Sequence, residues 1–360
     1  MLRAPEQSVN DPSTSALPPC PSSIANKDGY PLFGSYQGSV AEVDLSTLRG
    51  PYRLPLLLRP FKHKRWQYGM VGTKELLAVF SIADLTYTAN SFAAGVDLRT
   101  RDVLFDSSFM GLPGLLAKVG SRPGEGARSE FWAPGAHLSF SRKAGQKQYE
   151  LSIEIRSSRL GKVTCRAEIQ LDGVAPSLTA IAPLPGDGVI NVTQKWAALP
   201  TTGNLSVGDR NFSFDGGAAG LDYSHGYLAR HTVWRWAMAT GYVDEGTPVG
   251  LNLAEGFNEV EGEASENVLW FGQHLIPLKR AQFSFDKQNV LRDWRVTTVD
   301  GAVELIFHPI HVHREERNYG VVRSHLVQPL GIFAGTIKLG REIFQLRNLG
   351  GVVEDQDVLW

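Results

Sequence analysis

Cysteine is nearly absent from this 360-residue chain: Cys20 and Cys165 are the only two, too few for a disulfide framework or a zinc-ligand cluster. A reduced, cytoplasmic protein is the expectation. An excess of either charge is missing too. Thirty-six Lys and Arg face 37 Asp and Glu, so no net field draws the chain to nucleic acid or an anionic membrane. No apolar run approaches the roughly 18–20 residues of a membrane span, and the first residues hold no stretch of signal-peptide type. The expectation is a soluble protein with no transmembrane segment and no nucleic-acid partner, of undetermined oligomeric state. No Walker loop, dinucleotide fingerprint, H-E-x-x-H or G-x-S-x-G elbow can be placed at a strand-to-helix junction. A cofactor-independent protein is therefore expected, with no cofactor assigned.

Glycine and strand-like runs are abundant. Residues 1–27, rich in Pro and Ser, read as a disordered tail. After them come short alternating runs at 66–71, 76–81, 130–132, 149–156 and 162–171, and again at 249–253, 268–271, 282–285, 294–298, 303–307, 324–328 and 331–339. In 149–156, Tyr149, Leu151, Ile153 and Ile155 alternate with charged or hydroxyl neighbours, as a half-solvated antiparallel strand requires. The best helical candidate, 112–119, is short and weakened by Gly111, Pro113 and Gly114. Many strands with 37 glycines predict an all-β protein of barrels or sandwiches. A soft boundary at Thr201-Thr202-Gly203-Asn204 divides 28–203 from 204–360.

The densest chemistry lies in 220–241. From Arg230 onward alternation puts Arg230, Thr232, Trp234, Trp236 and Met238 on one face and Ala229, His231, Val233, Arg235 and Ala237 on the other. Two indoles beside an Arg and a Thr make a mostly apolar surface with a few polar anchors, as in a small-molecule pocket.

The segments Asn191-Val192-Thr193-Gln194-Lys195, Leu221-Asp222-Tyr223-Ser224-His225-Gly226, Thr232-x-Trp234-x-Trp236-Ala237, Gly250-x-Asn252-Leu253, Glu266-Asn267 and Glu354-Asp355 with Trp360 resemble, in order and spacing, the family known as domain of unknown function 2804. The resemblance covers residues 30–360, although the amino-terminal half matches only in style. That family is distantly similar to the carotenoid 1,2-hydratase and AttH-like proteins, which implies two lipocalin-like, calycin-type antiparallel β-barrels packed together, with a ligand site in or between them. The carboxy-terminal motif departs from the pattern at Gln356, where a His is expected, and the resemblance assigns no role to that corner.

Asp222 and Tyr223 are the candidate acid–base pair. An Asp enclosed among aromatics loses hydration of its charged form and becomes a proton donor, Tyr223 relays or positions the proton, and Trp234 and Trp236 stabilise a developing cation. Two blander alternatives stay open: Asp222 caps a turn or pairs with Arg230, and the indoles simply fill a core. Lys195, Asn252 and Asn267 lie in or beside apolar runs, so each needs a partner, either a ligand or another side chain. His311 and His313 would share a strand face and could reach a metal, but no third ligand is evident and none is assigned. The cluster Lys62-His63-Lys64-Arg65 beside Trp66 is either a solvated loop or an attractor of anionic head groups.

The expected function is binding of a mostly apolar small molecule, lipid or isoprenoid-like, with hydratase, lyase or isomerase chemistry driven by an Asp donor. The alternative is a non-catalytic lipid carrier or structural protein. Trp234→Ala is expected to abolish ligand-dependent changes in tryptophan fluorescence, and an unaltered response would place the pocket elsewhere.

Overall fold

The computed structural model describes residues 16–157, 161–243, 246–260, 262 and 264–360. Their regular elements are almost all strands: one four-residue α-helix, Arg59–Lys62, and three 3-10 turns accompany 23 strands. The alternating sequence explains why. Tyr149, Leu151, Ile153 and Ile155 of Gln148–Ser157 are buried and stand opposite Ile169, Ala167, Cys165 and Val163 of Gly161–Gln170, so one face of the hairpin is continuous core. The segment 112–119 is not helical. Pro113 and Gly114, with φ +70°, form a turn that feeds the short strand Ala117–Val119.

The strands form two curled antiparallel sheets, of fourteen and nine strands. The first runs from Val103–Gly111 through Ala89–Asp97, Leu76–Asp84, His63–Gly72, Gly217–Tyr227 and Ile190–Val207 to Gly161–Gln170, then through successive hairpins to Ala117–Val119. Its ends come together where Phe109 and Phe131 pack with ring centroids 6.2 Å apart. The second is centred on His231–Tyr242, Glu342–Leu359 and Arg323–Leu339. Both are barrel-like, as expected.

The chain passes from the first barrel to the second at 228–230, between Gly217–Tyr227 and His231–Tyr242. The expected division at 203/204 instead falls inside Ile190–Val207. Gly203, with φ +121°, is a bend at a close approach, where a Cβ would meet the Arg166 carbonyl oxygen at 2.0 Å, and not a linker. Residues 16–27, assigned to the tail, also carry structure: Cys20 N donates to Gln37 O, and Ile24 is buried in the first barrel's core. Residues 1–15 lie outside the described residues.

Each barrel fills its interior with one face of its strands: Phe80, Phe140 and Leu151 in the first, Leu251, Trp294 and Phe333 in the second. The opposite faces pack against each other. Met70, Leu77, Val79, Trp236, Met238 and Val352 form a separate apolar layer between the sheets. Two glycines permit this contact: a Cβ on Gly220 would lie 2.6 Å from Met238 Sδ, and one on Gly250 2.5 Å from Ala197 Cβ.

A polar latch joins the sheets elsewhere. Asp106 of the first accepts from His311 Nε2 at 2.6 Å and from His313 Nδ1 at 2.7 Å, both on the second, and the His313 ring stacks on Phe92 at 4.2 Å. The two histidines do share a reach, but onto a carboxylate; among the described residues no group of three or more metal-ligating side chains forms. Burial opposes charge on His313, yet its bonds with Asp106 and Glu315 outweigh burial and raise it from 6.5 to about 9. Burial likewise works against the Asp106 carboxylate, but His311 and His313 lower it from 3.8 to about 2.

A raised imidazole contributes stability in full below pH 6.5 and loses it as pH rises through about 9. The lowered carboxyl contributes above 3.8 and loses it as pH falls towards 2. His313→Gln should therefore lower the urea midpoint most between about pH 4 and pH 6.5, with the deficit shrinking towards pH 9. A deficit that does not change with pH would show that the latch is not ionic.

Candidate active site between the two barrels

Where the sheets diverge they enclose a cavity of about 280 Å³. Trp66, Tyr68, Asp222 and Lys195 line it from the first sheet, and Trp234, Trp236, Gln328 and Glu354 from the second. Trp66 and Trp234 face one another almost in parallel, 9° between planes and 6.2 Å between centroids. The chamber lies outside both barrels, on the faces that the barrels do not use for their own interiors.

Its first wall carries buried charge. Lys195, Asp222 and Tyr68 are lateral neighbours on three adjacent strands. Lys195 Nζ donates to Asp222 Oδ1 at 2.6 Å and lies 3.2 Å from Glu266 Oε2. Trp66 Nε1 donates to Asp222 Oδ2 at 3.2 Å. Lys195 also sits 5.4 Å over the Trp236 ring. Burial works against the ammonium, but Asp222 and Glu266 overcome it and raise its pKa. Glu266 is raised, first by burial. Its Oε2 pairs with Lys195 Nζ, so one buried ammonium serves two carboxylates.

The opposite wall centres on Glu354. Trp234 Nε1 donates to its Oε1 at 2.6 Å, and Gln328 Nε2 to its Oε2 at 2.5 Å. Gln328 Oε1 in turn accepts from Tyr68 OH at 3.2 Å, a bond that crosses between the sheets. Enclosure dominates: burial pushes the Glu354 carboxyl from 4.5 up to about 7 despite the two donors. A carboxylic acid that holds its proton near neutrality thus faces an ion-paired carboxylate.

Of the expected site residues, Asp222, Lys195, Trp234 and Trp236 are brought together. Tyr223 is not with them. As the next residue on the strand it points into the first barrel, where its OH donates to Gly120 O at 2.9 Å and lies 3.1 Å from His225 Nδ1. Arg230 is exposed and its guanidinium donates to Val321 O, so Asp222 pairs with Lys195 and not with Arg230. Thr232 accepts from Trp360 Nε1 at 3.1 Å and so positions a cavity-lining ring without lining the cavity itself. Asn252 and Asn267 brace the wall from behind: Asn252 Oδ1 accepts from Trp236 Nε1 at 2.8 Å, and Asn267 Oδ1 from Ala254 N at 2.7 Å.

Glu354, Gln328 and Trp66 had no role on sequence grounds. For Glu354 a signal existed: Val352, Glu354, Gln356 and Val358 alternate onto one face, and an ionisable side chain between valines on a strand marks an enclosed charge.

The chain belongs to the family described as domain of unknown function 2804, whose model matches residues 18–360. No curated protein matches it. Among solved structures it is similar to CghA, with a TM-score of 0.51 at 9% identity, over 91% of this chain and 98% of that one. Kievitone hydratase from Nectria haematococca gives 0.49 at 10% identity over the same shares, and an AttH-type protein from Nitrosomonas europaea 0.46 at 12%, over 83% of this chain and 92% of that one. The likeness to CghA at this identity shows a shared fold.

Lys195→Met is expected to destabilise the fold by about 3–5 kcal/mol in urea denaturation, because Asp222 and Glu266 would be left buried without their cation. A loss below about 1 kcal/mol would mean that water reaches the pair.

Proposed function

We propose that the chain binds a mostly apolar small molecule, lipid or isoprenoid-like, between its two barrels and moves a proton on it without a cofactor. The observation that carries this reading is Glu354, a buried carboxyl pushed up to about 7 in the wall of an aromatic cavity. Such a group can hand a proton to an alkene or carbonyl at neutral pH. The faces of Trp234 and Trp236 stabilise the cation that forms. Asp222, a hydrogen-bond acceptor held between Lys195 and Trp66, takes the proton released by an attacking water or by the ligand, and exchange with solvent then returns a proton to Glu354 and removes one from Asp222, so that protons balance over the turnover. Hydration, dehydration and isomerisation all fit this pair.

The donor expected at Asp222 is thus better supplied by Glu354, with Asp222 as the acceptor. Two carboxyls in contrasting surroundings divide acid and base roles, one kept neutral by enclosure and one held by a cation. Tyr223, behind the wall, supports the strand instead of relaying the proton. A specific observation favours the second reading, a non-catalytic carrier: Lys195 and Asp222 satisfy each other within the protein, as a purely structural pair would.

Mass spectrometry of the compound that co-purifies with the protein would supply the ligand. With that compound, Glu354→Gln is expected to bind at wild-type affinity and to turn over roughly 10²–10⁴-fold more slowly. Because the acid form is the active one, wild-type turnover should fall as pH rises through about 7. Turnover by Glu354→Gln at the wild-type rate would remove the acid from that position, and absence of turnover in wild type would leave the carrier.

A further inference from the structure

The cavity opens at one end of the molecule, and that end is greasy and cationic. Strand register places His63 beside Tyr227, His231 beside Leu359, and Leu359 and Asn318 beside Arg323, so these strand ends share one rim. Tyr87, Tyr319, Val322 and Trp360 line the cavity there. Just outside, the 3-10 turn Leu56–Leu58 and the helix Arg59–Lys62 lead into His63–Gly72. Leu57 is 85% exposed, Leu56 73%, Phe61 65% and, across the rim, Val321 73%. No interior claims these side chains, although the chain buries leucine and phenylalanine elsewhere.

Charge along this stretch of chain is one-sided. Residues 49–65 contain six Lys or Arg and no Asp or Glu, an asymmetry hidden by the net charge of −1. Lys62 pairs with Asp187 and Arg65 with Asp84. Lys64 is buried, its Nζ donating to Phe61 O at 2.7 Å and lying 4.6 Å over the Tyr87 ring and 5.5 Å over that of Trp360, which ties the turn to the cavity rim. Exposed Arg53 and half-exposed Arg59 flank the leucines, and exposed Arg230 crosses the rim to Val321 O.

We propose that this end docks on a lipid bilayer with anionic head groups, inserting Leu56, Leu57 and Phe61 at the interface while Arg53, Arg59 and Arg230 meet the head groups. Exposed Leu and Phe flanked by cations have the composition of interfacial anchors, and anionic lipid complements the acid-free run. No helix among the described residues is long and apolar enough to cross a membrane. The cavity opens into the same surface, which gives an apolar ligand a dry route from bilayer to chamber.

Flotation of the full chain with phosphatidylcholine vesicles, with and without phosphatidylglycerol, tests this. Wild type should float with the anionic vesicles and be released by salt. Leu57→Asp with Phe61→Asp should weaken the partition by about tenfold or more at an unchanged thermal midpoint. Arg53→Glu with Arg59→Glu should erase the preference for phosphatidylglycerol. Docking requires nothing of Glu354, so Glu354→Gln should float as wild type whatever its turnover. Equal flotation of the Asp variant and wild type, or no flotation of wild type, would overturn the proposal. A concentration-dependent dimer dissolved by Leu57→Asp, in a chain that ignores vesicles, would also overturn it and assign the patch to a second copy.

Discussion

A strand has two faces, and a curled sheet can use only one of them to fill its own interior. Everything else in this molecule depends on what is done with the outer face. On strands such as Gly161–Gln170 it is polar and solvated. On His63–Gly72, Leu76–Asp84 and His231–Tyr242 it is apolar, and each barrel buries that face against the other. Contact is closest where Gly220 and Gly250 remove the Cβ atoms that would hold the sheets apart. Away from those glycines large rings take over, and Trp66, Tyr68, Trp234 and Trp236 frame a space instead of closing it.

Enclosure between two sheets has an electrostatic result. Asp222, Lys195, Glu266 and Glu354 all sit where water is scarce, and each has a different remedy. Lys195 is balanced by two carboxylates, Asp222 accepts from that cation and from an indole N–H, Glu266 leans on the cation at 3.2 Å, and Glu354 keeps its proton to higher pH. A structure that needed only a packed interface would place valines here, since ion pairs in such places are at best neutral for stability.

Much of the fold was legible because alternation is a local signal. The runs at 149–156 and 162–171 are written in the sequence residue by residue and pair in that register. The chain's passage between barrels was not legible, because Gly203 looks the same in a sequence whether it bends a strand or opens a linker. The strand face bearing Trp234 and Trp236 could be read from spacing, and so could the identity of Asp222 and Lys195 as enclosed polar groups. Tyr223 was misplaced by proximity in sequence, although alternation itself puts neighbours on opposite faces. Glu354 lies more than a hundred positions from Trp234, and only the pairing of Glu342–Leu359 with His231–Tyr242 brings them together.

The cavity's walls belong to two bodies, and this bears on how the molecule comes apart. A guest in contact with Trp66 on one side and Glu354 on the other is lost as soon as either barrel melts, so its binding energy penalises partial unfolding and global unfolding alike. Under the proposed function, an empty molecule joined by the apolar layer and the Asp106 latch would be free to open one half before the other, whereas a loaded one would melt as a single cooperative unit, with the occupant as a removable keystone.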